Sequence, residues 1–261
     1  MFDPRLAAAS LSGESDAEWA IDAAPYVGCA FLGGIALDDE TRRGAQALVE
    51  RDRTEFLPED PIRFIDRQLS ALDGRDFRPA FNVRSATLDP VEKAAEVCAA
   101  HDAILEVNAH CRQDEMCAVG AGEALLRDAD RLCEQVATAS DAGATVSVKL
   151  RAELDGVELP VLSRRLADSG ADALHVDAMD SEPIVSEIVA AAPDAFVIAN
   201  NGVRDRETAH EYFGYGADAV SVGRPSDDPV VLHRVRRAVD AWFADRDSAE
   251  HGPDSEAVSD A

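Results

Sequence analysis

Lysine is nearly absent from this chain: Lys93 and Lys149 stand against 23 arginines. Aromatic residues make up only 5%. No apolar run approaches the roughly 18 residues that a membrane-crossing helix needs, and no secretory leader pattern opens the sequence. Cysteine is sparse and odd in number, at positions 29, 98, 111, 117 and 133. That spacing fits neither a zinc site nor a disulfide framework. These absences point to a soluble, reducing, cytoplasmic protein with no membrane partner and no metal centre. Basic charge is also short, with 51 acidic against 25 basic residues and a formal net charge of −26. Such an excess argues against a broad electrostatic footprint for nucleic acid. Its self-repulsion destabilises a compact state. The repulsion becomes tolerable where salt shortens the Debye length to about 3 Å, near 1 M. The composition is therefore that of a halophilic cytoplasm.

What is present is alternation. Short apolar or β-branched runs occur at 6–9, 26–32, 79–83, 103–108, 145–151, 173–177, 196–200 and 219–223. Amphipathic stretches lie between them, as in Leu125, Leu126, Ala129, Leu132, Cys133 and Val136, whose apolar residues recur three and four apart. The interval between the second and third runs is long and predicts two helices, near 38–52 and 60–72. Eight strands separated by helices predict a (β/α)8 barrel of parallel strands over residues 1–245, with a doubly wound open sheet as the alternative. Residues 246–261 are polar, acidic and almost free of large apolar side chains. They read as a disordered tail.

In a barrel of this kind, chemistry sits at the carboxyl ends of the strands. Lys149 lies inside the apolar run Thr145–Arg151, where an ammonium is costly unless an anion or strong acceptor meets it. A lysine whose stem follows the surface while its head reaches water is the plainer reading. Period-two alternation puts Lys149 with Arg151 on one face of strand 5, and Glu106 with Asn108 on one face of strand 4. Glu106 is expected to pair with a strand 5 cation. Cys111 follows strand 4 in a loop with His110 and Arg112. An inert thiol is the commoner case for such a cysteine, and a backbone-bonded ring the commoner case for such a histidine. Strand 7 ends in Asn200-Asn201-Gly202 and strand 8 in Gly223-Arg224, where glycine backbone and a guanidinium suit a phosphate.

Taken in order, these residues resemble the tRNA-dihydrouridine synthase family of FMN-dependent barrels. Ala9, Gly13 and Asp16 keep part of its strand 1 pattern. Asn108, Cys111, Gly120, Gly122, Leu125 and Leu126 are similar to its strand 4 motif, Lys149 and Arg151 to its Lys-x-Arg, and Ala199-Asn200 and Gly223-Arg224 to its last two motifs. The resemblance implies FMN, with Lys149 at the isoalloxazine ring and Asn200, Asn201, Gly202, Gly223 and Arg224 at the phosphate. It implies Cys111 as the general acid at pyrimidine C5; His110, from its place beside that thiol, is the next candidate donor. It further implies NAD(P)H as electron donor, visiting the same pocket because no Rossmann glycine fingerprint is present.

Asn82 replaces the family's glutamine on strand 3, and Asp177 and Met179 replace its His-x-Arg on strand 6. Both Asn82 and Asp177 are expected near the cofactor. His175, two residues before Asp177, reads as a satisfied interior histidine. Asn108, Arg112 and Arg151 are expected to meet the substrate. Arg112 stands where the family has proline and could meet a carboxylate or phosphate. The sequence after strand 8 has room for one helix and a tail, not for the family's tRNA-gripping helical domain. That lack, the acidic charge and Arg112 favour a free small molecule while the motif register favours tRNA, so the expected substrate is a pyrimidine, with tRNA uridine leading. The alternatives are a free small molecule, as in dihydroorotate or dihydropyrimidine dehydrogenases, and a non-enzymatic FMN- or metabolite-binding barrel.

Overall fold

The computed structural model describes residues 1–250. Eight parallel strands close into a barrel: β1 (Leu6–Ala8), β2 (Cys29–Ala36), β3 (Arg78–Arg84), β4 (Ile104–Asn108), β5 (Thr145–Arg151), β6 (Ala173–Asp177), β7 (Phe196–Asn200) and β8 (Ala219–Val222). Helices connect successive strands on the outside, and the long interval carries two of them, Asp39–Val49 and Pro61–Ser70. Aspartates 38 and 60 start these helices by accepting backbone N–H bonds, and Pro61 sits at the first turn of the second. The architecture is the (β/α)8 barrel, not the open sheet. The final helix runs from Pro229 to Glu250, past the boundary expected at residue 245. The rest of the expected tail, 251–261, lies outside the described residues.

One strand differs from its expected span by more than a residue at its ends. β2 starts later and runs on through Gly33 and Gly34, with a register shift against β3 between Gly33 and Ile35. Both glycines have positive φ, 89° and 78°, a region costly for side-chain-bearing residues. The glycine pair just beyond the expected run is a bulge inside the strand.

Side chains fill the barrel in layers. Near the amino ends of the strands, Ala7, Cys29, Phe31, Ala80, Ile104, Ala173, Ile198 and Ala219 form an apolar plug. One layer up, the register sets Asn82 beside Glu106 and Glu106 beside Ser147, with Lys149 two residues further along β5, level with Asn108. These interior side chains are polar yet buried, so each needs a partner. The larger apolar core lies between the strands and the helices, where every strand is covered. The polar layer therefore faces only the carboxyl-end mouth of the barrel.

Candidate active site

That mouth opens into a cavity of about 740 Å³. Asn108, His110, Cys111, Arg112, Lys149, Arg151, Asp177, Asn201 and Arg224 all line it. Asn82, Asn200, Gly202 and Gly223 do not. Asn82 is fully buried beneath the floor, Asn200 is buried beside β8, and the two glycines sit on the adjoining loops. A second depression, about 480 Å³ around Arg78 and His101, lies at the amino ends of β2–β4. Barrels of this class place stability there rather than chemistry.

A continuous chain of hydrogen bonds supports the floor. Asn108 Oδ1 accepts from the backbone N–H of His110 at 3.1 Å and of Cys111 at 2.9 Å, an Asx turn that fixes the cysteine's position. Asn108 Nδ2 donates to Asn82 Oδ1 at 2.9 Å, and Asn82 Nδ2 donates to Glu106 at 2.7 Å. Ser147 donates to the other Glu106 oxygen at 3.2 Å, and His175 Nδ1 lies 2.7 Å from the same oxygen. His175 Nε2 lies 2.8 Å from Ser221 Oγ, which accepts from Asn200 Nδ2 at 2.6 Å. Because the Glu106 carboxylate can only accept, the imidazole proton rests on Nδ1 facing it, and Nε2 accepts from the Ser221 hydroxyl. His175 is thus the satisfied interior histidine that the sequence suggests.

Glu106 differs from its expected role: it pairs with His175 of β6, not with a strand 5 cation. The reason is register. Lys149 lies two residues beyond Ser147, the Glu106 neighbour, and so projects one layer higher, toward the cavity. Burial alone would raise the Glu106 carboxyl. His175, then Lys149 and Asn82, bring it below the usual carboxylate range. Burial pushes the His175 ring down, so the pair is an ionised carboxylate with a neutral imidazole.

Lys149 is 5% exposed. Among the described residues its ammonium makes no hydrogen bond and no ion pair. A buried ammonium without a fixed partner, aimed into a cavity, suits an anionic or strongly accepting ligand. Arg151 does have a partner, an ion pair with Glu123, which leaves it less free for substrate. Arg112 and Arg224 are exposed at the rim.

Among the described residues the His110 ring bonds no backbone group. Its Nε2 meets Asp177 Oδ2 at 2.5 Å, from β4 across to β6. Asp177 Oδ1 accepts from the Met179 N–H at 3.2 Å. Burial would raise the Asp177 carboxyl, and His110, helped by Met179 and Lys149, holds it below the usual range. Asp177 therefore faces the cavity with much of its charge already met.

Cys111 is a partly exposed free thiol. Gly122 supports its turn at φ 59°, since a Cβ there would collide with the Cys111 carbonyl oxygen. Three further cavity residues, Asp52, Met179 and Asn201, hold positive φ without being glycine, at 59°, 53° and 99°. Strained backbone of this kind collects at functional sites.

The sequence reading missed the roof of the cavity. Asp52, Arg53, Thr54 and Glu55, from the segment between the two consecutive helices, line it. Glu55 is held by Arg84, a buried arginine at the end of β3. The available signal was alternation: Arg84 lies two residues beyond Asn82, on the same strand face.

The fold is shared widely. Thiamine phosphate pyrophosphorylase from Pyrococcus furiosus superposes with a TM-score of 0.54 over 91% of this chain and 96% of its own, at 11% identity. That likeness concerns the barrel alone. An uncharacterized protein of Methanocaldococcus jannaschii is 26% identical over 234 residues, covering 85% of this chain and 89% of that protein. The profile of dihydrouridine synthase matches residues 80–251. That span contains Asn82, the Asn108–Cys111 turn, Lys149 and the loops after β7 and β8. Covering more than half of the chain, the match establishes that this protein belongs to the dihydrouridine synthase family.

Proposed function

We propose that this chain is an FMN-dependent oxidoreductase acting on the C5=C6 bond of a pyrimidine. The observation that carries the reading is Lys149: a buried ammonium that makes no hydrogen bond and no ion pair among the described residues, opening on a cavity shared with Cys111 and Asn108. Its charge suits the pyrimidine edge of a flavin, where negative charge builds up on reduction. Arg224, with Asn201 and the glycine backbone at 202 and 223, would hold the phosphate; Asn200 braces this region from beneath through Ser221, and Asn82 braces Asn108 on the other side of the barrel. When bound, the flavin supplies the hydride that goes to pyrimidine C6, after reduction by NAD(P)H.

The protein's own contribution is a proton and a position. Cys111, fixed by the Asn108 turn, gives its proton to C5: the S–H bond breaks, the C–H bond forms, and sulfur keeps the electron pair. Asn108 spends its oxygen and one amide hydrogen inside the protein, so one N–H remains for a base carbonyl. His110, oriented by Asp177, is the second proton source at the same wall.

Uridine in tRNA is the substrate that family membership favours. A free pyrimidine bearing a carboxylate or phosphate is the second reading. It is favoured by Arg112 and Arg53, both exposed at the mouth and neither ion-paired among the described residues. FMN titration followed by flavin fluorescence tests the cofactor. Lys149→Ala should weaken binding by about tenfold or more, roughly 1.4 kcal/mol. Unchanged binding by Lys149→Ala removes the observation on which the reading rests.

A further inference from the structure

With 51 acidic residues against 25 basic ones, an arginine of this chain finds a carboxylate or a carbonyl easily. Arg42, Arg51, Arg127 and Arg151 are all spent in this way. Arg53, Arg112 and Arg224 are not. All three line the cavity and are exposed, and none makes a hydrogen bond or an ion pair among the described residues. Strand order separates them. Arg224 follows β8, whereas Arg112 follows β4 on the opposite side of the closed barrel, and Arg53 comes from the connection between β2 and β3. The mouth therefore carries a second cationic pole, away from the loops after β7 and β8.

Arg53 and Arg112 belong to segments that are fastened to each other. Arg51 pairs with Glu115 across them. A Cβ on Gly44 would lie 2.9 Å from the Glu115 carbonyl oxygen, so the helix Asp39–Val49 runs directly against the turn after Cys111. Ala45, Leu48, Leu57, Met116 and Cys111 close the seam with apolar contacts. Both backbones are fixed by the protein itself. Arg53 N–H donates to the Leu48 carbonyl at 3.1 Å and Asp52 N–H to the Val49 carbonyl at 3.0 Å, a Schellman ending with Asp52 in the left-handed position. Arg112 follows the turn that Asn108 pins. Donors on fixed backbones cost less to order on binding. The acids on the same rim leave both guanidinium groups free: Glu55 is held by Arg84, Glu14 accepts from Thr54 Oγ1 at 3.3 Å, and Asp52 pairs with neither arginine.

We propose that Arg53 and Arg112 form a phosphate subsite for the substrate, so that the pyrimidine held at Asn108 and Cys111 is that of a free nucleoside monophosphate. The proposal rests on the reading of the cavity as a pyrimidine site, and it selects the free phosphorylated substrate over uridine in tRNA. A single guanidinium fork fills a carboxylate. Two forks from different segments suit the three terminal oxygens and the near-double charge of a phosphate monoester. A phosphodiester within RNA offers less charge, and it brings neighbouring phosphates that a chain of charge −26 repels.

The test is calorimetric titration of the protein with uridine 5′-monophosphate and, separately, with uridine, in excess FMN and about 1 M KCl, where long-range attraction is screened and direct contacts remain. It reads binding rather than turnover, so it can fail while FMN binds and hydride transfer proceeds. The monophosphate should bind at least about tenfold more tightly than uridine. Arg53→Gln and Arg112→Gln should each reduce that preference, and the double variant should remove it with uridine affinity unchanged. Arg224→Gln should leave the preference in place. Equal binding of the two ligands by the wild type overturns the proposal, as does a preference that survives the double variant or disappears in Arg224→Gln. Two further outcomes overturn it by reassigning the pole. One is tighter, Arg53- and Arg112-dependent binding of a uridine oligonucleotide without a terminal phosphate, which assigns the pole to RNA. The other is an Arg53- and Arg112-dependent preference for orotate over uracil, which assigns it to a carboxylate.

Discussion

Glu106 on β4 and His175 on β6 meet at 2.7 Å, reaching across β5, and neither side chain has any exposure. The pair ties three consecutive strands through the barrel's interior, and Ser147 on the strand between them donates to the same carboxylate. Its charge is balanced by Lys149 one layer above. Glu106→Gln swaps one acceptor for a donor and leaves either His175 Nδ1 or Asn82 Nδ2 without an acceptor. We expect a loss of about 3 kcal/mol, read as a lower denaturant midpoint. A midpoint at the wild-type value would contradict the assigned network.

Asp177 links stability to acid. Its carboxyl is lowered on folding, chiefly by His110 against the opposing effect of burial. A group lowered in the folded state contributes stability that is present above its unfolded value of about 3.9 and lost as pH falls through its folded value. Asp177→Asn should therefore be less stable than wild type at neutral pH, with the two curves converging in acid. A constant gap at all pH values would assign the loss to packing instead.

His101 gives the opposite sign. Its ring lies 3.0 Å from both Asp66 and Asp73. Burial lowers it, and the two carboxylates more than reverse that, so it is raised. A raised histidine contributes stability that is fully present below its unfolded value of about 6.5 and lost as pH rises through the folded value. His101→Gln should cost stability below neutrality and converge with wild type in alkali. The exposed aspartates make the effect small and salt-sensitive.

Cys111 separates the two halves of the proposed reaction. Cys111→Ala should bind FMN and accept electrons from NADPH normally, yet lose at least about a hundredfold in pyrimidine reduction. If substrate turnover survives, His110 becomes the donor. If flavin reduction fails as well, the thiol has a part in cofactor binding that the proposal does not give it.

Much of this site was legible because barrel strands alternate and keep register. The spacing within Ile104–Asn108 and Thr145–Arg151 was enough to put Glu106, Asn108, Lys149 and Arg151 on inward faces. What escaped depends on contacts across the barrel or from a loop. Glu55 meets Arg84 from a segment with no periodicity. His110 reaches Asp177 past β5, a relation no local pattern encodes. Glu106 found His175 rather than Lys149 because one residue pair along a strand changes the layer, which only the barrel's register decides. The β2 bulge escaped for another reason: Gly33-Gly34 has the composition of a turn, and only the closing sheet reveals that the strand continues.

The most direct test is the visible absorption spectrum of the protein purified in about 1 M salt, where its −26 charge is screened. The account predicts a yellow protein with paired flavin bands that releases FMN on denaturation. A colourless protein that also takes up no added FMN would contradict it, and would leave Lys149 as a buried cation without a ligand.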